Sequence, residues 1–314
     1  MISKPLVSIG ITSFNSQKTI LKAIEGAVKQ NWSRKEIIVI DDCSSDNSLK
    51  IIQESDFLKY IKLYRNQKNI GAAGSRNKII NKSKGEIICF MDDDDWSMPN
   101  RVEKQIQAMK NVGYPNKKLI ACSVSMERIY KNGFKRNLIA MGSKGLNPYR
   151  EELAEYILFY EKKDKVDYGF GLPTCSLAIT KECFKKVGFF DEKLKRVEDL
   201  DMAIRLSFNK VLFTGVKEVL IRQTTSERQN KNAEINYDSE VKVIEKNKDF
   251  LEEKKLFWHS MQWPKLRYFY FKRNFIKLFY NLLILFLLNP RRSFTHFFET
   301  AIQRLILDIK IHFR

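Results

Sequence analysis

The chain has 314 residues, 44% of them hydrophobic and 30% charged, and carries a formal net charge of +19. That length admits one large domain or two modest ones, and that composition excludes wholesale disorder. A balance so basic points to an anionic partner: nucleic acid, a membrane surface or a phosphorylated ligand.

No signal peptide is expected, because Met1–Pro5 runs straight into an apolar, strand-like segment. Val7–Ile11 predicts a strand, and Ile20, Ile24, Ala27 and Val28 recur at helical spacing within Thr19–Gln30. Glu36–Ile40 reads as a buried strand. A helical pattern through Leu49, Ile51 and Ile52 follows, then a strand at Tyr60–Tyr64, a helix at Gly74–Asn81 and a third aliphatic strand at Glu86–Met91. Pro99 suits the first position of a helix running to about Asn111. Such alternation implies an α/β fold: a mainly parallel sheet with helices on both faces. Ligands in such sheets bind at the carboxyl ends of strands, here just after Ile11, Ile40 and Met91.

Further on, Leu119–Tyr130 is strand-like, and Asn132-Gly133 predicts a hairpin turn into Phe134–Ile139. Pro148–Tyr160 and Leu200–Phe208 read as helices and Thr174–Thr180 as a strand. No long linker interrupts the first 220 residues, so one catalytic domain is expected. The five cysteines, Cys43, Cys89, Cys122, Cys175 and Cys183, include no Cys-x-x-Cys pair. They indicate neither a zinc site nor a disulfide framework, and a reducing, cytoplasmic setting follows.

Acidic residues gather at three places: Asp41-Asp42 and Asp92-Asp93-Asp94-Asp95, each directly after a strand, and Glu198-Asp199-x-Asp201 at a helix start. Four adjacent carboxylates repel one another, and a hard cation such as Mg²⁺ or Mn²⁺ would neutralise them. A solvated loop, or a cap for the helix after Pro99, is the alternative. Asp41 and Asp42 suit either a helix cap or an acceptor for a ligand's base or ribose. Between Asn69 and Asn77, Gly71 and Gly74 permit close backbone approach, and Arg76 can pair with a carboxylate or phosphate. Simple close packing explains that loop equally well.

Taken in order, these segments resemble the family 2 glycosyltransferases with the GT-A fold. The resemblance rests on Val7-Ser-Ile-Gly-Ile-Thr-Ser-Phe-Asn15, Ile38-Val-Ile-Asp-Asp-Cys-Ser-Ser-Asp46, Asn69 to Asn77 and Gly85-Glu-Ile-Ile-Cys-Phe-Met-Asp-Asp-Asp-Asp-Trp96. It continues through Met98-Pro-Asn-Arg101, Val187-Gly-Phe-Phe-Asp191 and Glu198-Asp-Leu-Asp-Met-Ala-Ile-Arg205, covering roughly residues 5–225. It implies a GT-A catalytic domain over 1–227, with a donor half (1–112) and an acceptor half (113–227). Thr12 and Asp42 fall where the family holds the nucleobase, with Asp41 beside them, and Arg76 falls on the loop lining the nucleotide. Asp92-Asp93-Asp94 resembles the Asp-x-Asp motif, with Asp92, near the ribose, and Asp93 binding the nucleotide-sugar, and Asp94 together with Asp92 as metal ligands. Asp199 matches the catalytic base of inverting members. The implied cofactors are Mn²⁺ or Mg²⁺ and a nucleotide-sugar donor, UDP-linked by family expectation.

Two departures shape the expectation. Processive members carry a Gln-x-x-Arg-Trp motif and several membrane helices, neither found here, so one sugar per acceptor is expected. Many non-processive members hold a histidine after the last core strand, where this chain reads Leu220-Ile-Arg-Gln-Thr-Thr225 with Gln223 in its place.

Residues 228–314 predict a helical, basic and aromatic extension. From Lys255 to Arg314, 11 Lys and Arg stand against Glu299 and Asp308, a net of +9. The longest apolar run, Leu278–Leu288, is shorter than the roughly 20 residues a spanning helix needs. Trp258, Trp263 and Tyr268–Phe271, interleaved with Lys265, Arg267, Lys272, Arg273 and Lys277, suit helices lying in a headgroup region. Peripheral attachment to the inner face of the cytoplasmic membrane, near a glycan or lipid-linked acceptor, is therefore expected; packing on the catalytic domain or a dimer contact is the alternative. A sugar-phosphate nucleotidyltransferase would open with a Gly-rich, basic loop where this chain reads Thr12-Ser-Phe-Asn-Ser16. A nucleic-acid partner is disfavoured by the four aspartates and by the apolar setting of the basic residues.

Overall fold

The aliphatic runs of the first hundred residues form parallel strands because both of their faces are covered. In the computed structural model, which describes residues 4–224 and 232–312, strands and helices alternate as the sequence predicts. They are β1 (Val7–Ser13), α1 (Ile20–Val28), β2 (Lys35–Asp41), α2 (Ser48–Gln53), β3 (Lys62–Arg65), α3 (Gly71–Lys82) and β4 (Ile87–Asp92). β1 pairs in parallel with β2 and β4, and β2 with β3. Val7, Ile9 and Ile11 pack with Ile20 and Ile24 in one core layer. Gly10 lets α3 settle close to the sheet, since a Cβ there would lie 2.3 Å from Cγ2 of Ile79.

Beyond β4 the sheet becomes mixed. β5 (Asp95–Ser97), which sequence reading did not anticipate, follows the turn at Asp93 and Asp94. Next, α4 (Arg101–Asn111) begins two residues after Pro99, where the Arg101 N–H closes a turn on the Met98 carbonyl at 3.0 Å. β6 (Ile120–Ile129) and β7 (Lys135–Leu138) form the expected hairpin, with Gly133 at φ +79 in its turn. α5 (Glu152–Phe159) follows. The strand expected at Thr174–Thr180 divides, because Ser176 and Leu177 donate back to Pro173 and Thr174. The result is a 3₁₀ turn at Thr174–Ser176 and a short β8 (Ala178–Thr180). After them come α6 (Lys181–Val187), α7 (Glu198–Phe208) and β9 (Leu212–Thr224). The strand order is β3-β2-β1-β4-β8-β6-β9-β5, with β7 on β6. β8 is antiparallel to β4 and β6, β9 is parallel to β6, and β5 lies antiparallel to β9 with Asp95 opposite Gln223.

The boundary expected at 227/228 lies outside the described residues. The extension is helical: α8 (Ala233–Lys246), α9 (Lys248–Glu253), α10 (Phe257–Phe271), α11 (Phe275–Leu288) and α12 (Pro290–His312). Parts of it dock on the preceding α/β domain. Val243, Ile244, Leu251 and Phe257 share an apolar core with Ala154 and Leu158 of α5 and Ile204 of α7. The His296 ring stacks on Tyr160 at 4.0 Å between centroids, and Arg292 pairs with Glu161. Packing on the α/β domain is thus observed for α8, α9, the start of α10 and one side of α12. The outward faces of α11 and α12 are a different surface. Ile276, Phe279, Leu283 and Leu287 on α11, and Phe294, Phe298, Leu305 and Ile309 on α12, stand exposed at helical spacing.

Candidate active site

The carboxyl ends of β1, β2 and β4 end side by side. Thr12 lies in register with Ile40 on one side and Asp92 on the other, and Ser13 with Asp41. The loops leaving these strands are knitted together by side chains. Asn15, at φ +49, accepts hydrogen bonds from the Ser45 and Asp46 N–H groups at 2.8 and 3.3 Å. Asp93 accepts from the Phe14 N–H at 3.0 Å.

Asp42 is buried and has a defined structural task. Its carboxylate accepts from the Ile70 and Gly71 N–H groups at 2.9 and 2.8 Å and from Asn66 Nδ2 at 2.7 Å. It therefore caps α3 from the end of β2, which no spacing in the sequence reveals. Asp41 is wholly buried, accepts from the Ser44 N–H at 3.2 Å, and has Arg65 Nε 3.6 Å away.

Arg76 projects from α3 into the centre of the site. Its guanidinium is ion-paired with Glu198 at the start of α7 and lies 3.5 Å from Asp92 Oδ1 at the end of β4. Burial works against that charge, but Asp92, Glu198 and Asp199 outweigh it and hold the guanidinium above its ordinary value. One arginine thus joins two of the three acidic groups that the sequence singles out.

Asp199 is half-buried beside Glu198, and its Oδ1 accepts from the Leu200 N–H at 2.9 Å. Burial, then the Glu198 charge, pushes its carboxyl up to about 6, while Arg76 holds it down. Asp201, two residues on, is turned away from this group. It is buried, pairs with Arg205 at 2.9 Å and meets Lys246 of α8 at 2.5 Å. Asp201 therefore anchors the helix that presents Asp199.

The four aspartates from the end of β4 to the start of β5 separate in space. Asp93 is drawn to the β1 loop and its carboxyl is pushed up to about 6, by burial first and then by Asp94 and Asp92, against the Phe14 hydrogen bond. Asp94 sits half-buried in the turn between β4 and β5. Asp95, counted in the acidic cluster but outside the Asp-x-Asp motif, is buried, and one of its oxygens has no hydrogen-bond partner. Donor atoms of Asp92, Asp95 and Cys175 lie within 4.8 Å of one another. Burial, reinforced by Asp92 and Asp94, holds Asp95 well above the usual carboxylate range. That is the repulsion a bound cation relieves. Two hard carboxylate oxygens fit Mg²⁺ or Mn²⁺. The Cys175 thiol, which burial pushes well up, remains protonated at neutral pH and is a poor donor for such an ion. Gln223 faces Asp95, with Nε2 3.4 Å from Oδ2.

Arg101, quoted in the sequence only as part of a motif, is fully buried beneath the acidic turn. It donates to the carbonyls of Phe90 and Cys175 at 2.8 Å each and to Ser97 Oγ at 2.9 Å. This clamp fixes β4, β5 and the 3₁₀ turn relative to one another. Asn77 does the same for the segment before α7, exchanging two 2.9 Å hydrogen bonds with the Phe190 backbone.

A parallel half-sheet with carboxylates at its open end, continued by a mixed half with an acidic helix start, is the arrangement of the GT-A fold. The structure is similar to that of S. aureus TarS in complex with UDP-GlcNAc, with a TM-score of 0.61, 17% identity and coverage of 92% of this chain and 82% of that one. Residues 8–178 match the profile described as Glycosyl transferase family 2, and the chain belongs to that family. An uncharacterized glycosyltransferase of Methanocaldococcus jannaschii is 27% identical over 98% of this chain and 95% of its own length. One from Haemophilus influenzae is 31% identical over 64% of this chain, a match spanning 62% of that relative's length. The Escherichia coli UDP-Glc:alpha-D-GlcNAc-diphosphoundecaprenol beta-1,3-glucosyltransferase WfgD is 41% identical over 33% of this chain and 41% of its own length.

Proposed function

We propose that the chain transfers one sugar from a nucleotide-sugar, with UDP as the nucleotide, to an acceptor hydroxyl with inversion at the anomeric carbon. The observation that carries this reading is the Arg76 bridge, which brings the start of α7, and with it Asp199, to the end of β4. The acceptor O–H gives its proton to Asp199 as its oxygen attacks the anomeric carbon. The bond from that carbon to the diphosphate breaks, and the diphosphate oxygen keeps the electron pair. Arg76 lies where it can exchange a carboxylate partner for the departing phosphate. Thr12 and Asp42 take the nucleobase, while Asp41 and Asp93 hold the loops around it. Asp92 and Asp94, the motif pair, would hold Mn²⁺ or Mg²⁺, with Asp95 as the addition suggested by geometry. The ion's contribution is to stabilise charge on the leaving diphosphate.

The E. coli relative's name includes a UDP-sugar donor and a lipid-diphosphate acceptor, and that of a B. subtilis relative, 33% identical over 34% of this chain, teichuronic acid biosynthesis. These names support a role in bacterial cell-surface polysaccharide or glycolipid biosynthesis, with a glycan or lipid-linked glycan as acceptor. Calorimetric titration with UDP, with and without Mn²⁺, tests the donor assignment. Metal-dependent binding that Asp94→Ala abolishes is expected. Absence of binding in both conditions would sink the UDP assignment.

The exposed apolar faces of α11 and α12 support attachment to the inner face of the cytoplasmic membrane. Among the described residues no helix is long and apolar enough to cross a bilayer, so contact would be along the surface. Flotation of the full chain with vesicles, compared with a variant carrying Ile276→Ser, Phe279→Ser and Leu287→Ser, tests this. Equal flotation of both would remove the stripe from the membrane reading.

A further inference from the structure

We infer that the groove between α8, α10 and α11 binds the phosphodiester headgroup of an anionic phospholipid. The inference rests on the surface attachment proposed above and deepens it by naming what the surface recognises. The groove encloses about 420 Å³ and has aromatic walls from Tyr237, Tyr268, Phe269 and Tyr280, with Lys265 and Lys277 among its lining residues. Tyr237 and Tyr268 lie 5.2 Å apart between ring centroids, and the Lys277 ammonium stands 5.7 Å from the centre of the Phe269 ring.

The charges set this groove apart from its surroundings. Neighbouring cations already have partners: Arg267 meets Glu240 at 2.8 Å, and Lys272 meets Glu234 at 2.9 Å. Lys265 and Lys277 form no ion pair among the described residues, and no carboxylate lines the groove. Two lysines without counter-ions, backed by aromatic rings, form a receptor for a compact anion. A neutral sugar would stack on the tyrosines but leave both ammonium groups unanswered.

Position identifies the source of that anion. Tyr280 belongs both to the groove and to the exposed face of α11 that includes Ile276, Phe279 and Leu283. If that face lies among acyl chains, the groove opens immediately beside it, at the depth of the headgroups. There lysine stems run along apolar surface and their ammonium groups reach phosphate.

The test is binding of the full chain to vesicles of phosphatidylcholine alone and of phosphatidylcholine with phosphatidylglycerol. The parent protein is expected to prefer the anionic vesicles. Lys265→Gln with Lys277→Gln is expected to weaken binding to them about thirtyfold. Arg273→Gln with Arg291→Gln, two exposed tail cations outside the groove, is expected to cost less than about threefold, and both variants to melt as the parent does. Equal losses in the two double variants would mean diffuse attraction by a polybasic tail, and would overturn the groove. So would a parent that does not distinguish the two vesicles. Binding of inorganic phosphate that Lys265→Gln with Lys277→Gln abolishes, with vesicle binding unchanged by that phosphate at constant ionic strength, would assign the site to a free ion and not to a lipid. A parent that floats with neither vesicle would defeat the membrane reading itself, a result distinct from all of these.

Discussion

Glu198 and Arg76 are ion-paired although 122 residues separate them, and this contact fixes the electrostatics of the site. It brings a buried positive charge near Asp199 while leaving a negative one next to it in the chain. The Asp199 carboxyl, at about 6, is the outcome of that contest after burial has raised it. A general base must be ionised, so kcat/KM is expected to fall tenfold per pH unit below about 6 and to level off above it.

Replacing Glu198 by Gln removes a charge that raises Asp199, so the acid limb should move to lower pH by about one unit. Replacing Arg76 by Gln removes the charge that lowers it, and the limb should move up. Profiles of kcat/KM against pH for both variants measure this. If the limb stays in place in each, Asp199 is not the titrating group.

Asp199→Asn is expected to reduce kcat by about 10²- to 10⁴-fold. Its effect on stability has the opposite sign. A carboxyl raised from 3.8 to about 6 on folding gives stability that is complete below 3.8 and lost as pH rises through about 6. Asparagine can still accept the Leu200 N–H but never ionises. The variant should therefore melt higher than the parent at pH 8 and gain nothing at pH 4. A lower melting temperature at both values would mean that the carboxylate has a structural role.

Arg101→Met tests the clamp beneath the acidic turn. It leaves the Phe90 and Cys175 carbonyls without their 2.8 Å donor in a fully buried place. Each unsatisfied acceptor costs about 1–3 kcal/mol, so a loss of about 3 kcal/mol is expected in urea denaturation. Arg101→Lys should recover less than half of it, because an ammonium cannot reproduce the planar fork. Unchanged denaturation midpoints would show that these bonds add nothing net.

The parallel strands are legible because Val7–Ile11, Glu36–Ile40 and Glu86–Met91 are short, mainly apolar stretches bounded by polar residues, and burial on both faces leaves that trace. β5 and β8 have three residues each, too few to carry a period. The acidic groups were visible by position, yet their partners were not. Asp42 caps a helix that starts 29 residues later, and Cys175 meets Asp92 only because β8 pairs with β4. In the extension, an aromatic and basic helix has the same composition whether it docks or faces lipid. Packing divides the two: Trp263, Leu266 and Leu285 turn inward, while Ile276, Phe279 and Leu287 turn out.

The docked part of the extension should respond to acid. His296 lies against Trp263 at 3.6 Å between centroids, and burial, helped by Arg267, His259 and Lys162, lowers it to about 3. Burial and then Arg292 lower His259 to about 4. Both rings are neutral in the folded protein at pH 7, whereas the unfolded chain binds these protons near the ordinary 6.5. Stability from this region is therefore complete above 6.5 and declines as pH falls towards about 4. After allowance for solvent screening, each ring should cost at most about 1 kcal/mol per pH unit over that range. His296→Phe keeps an aromatic ring between Tyr160 and Trp263 but removes one titration. Melting followed by tryptophan fluorescence from pH 7.5 to 5 should show a shallower decline for the variant than for the parent. Parallel declines would mean that groups other than His296 control the acid response of this interface.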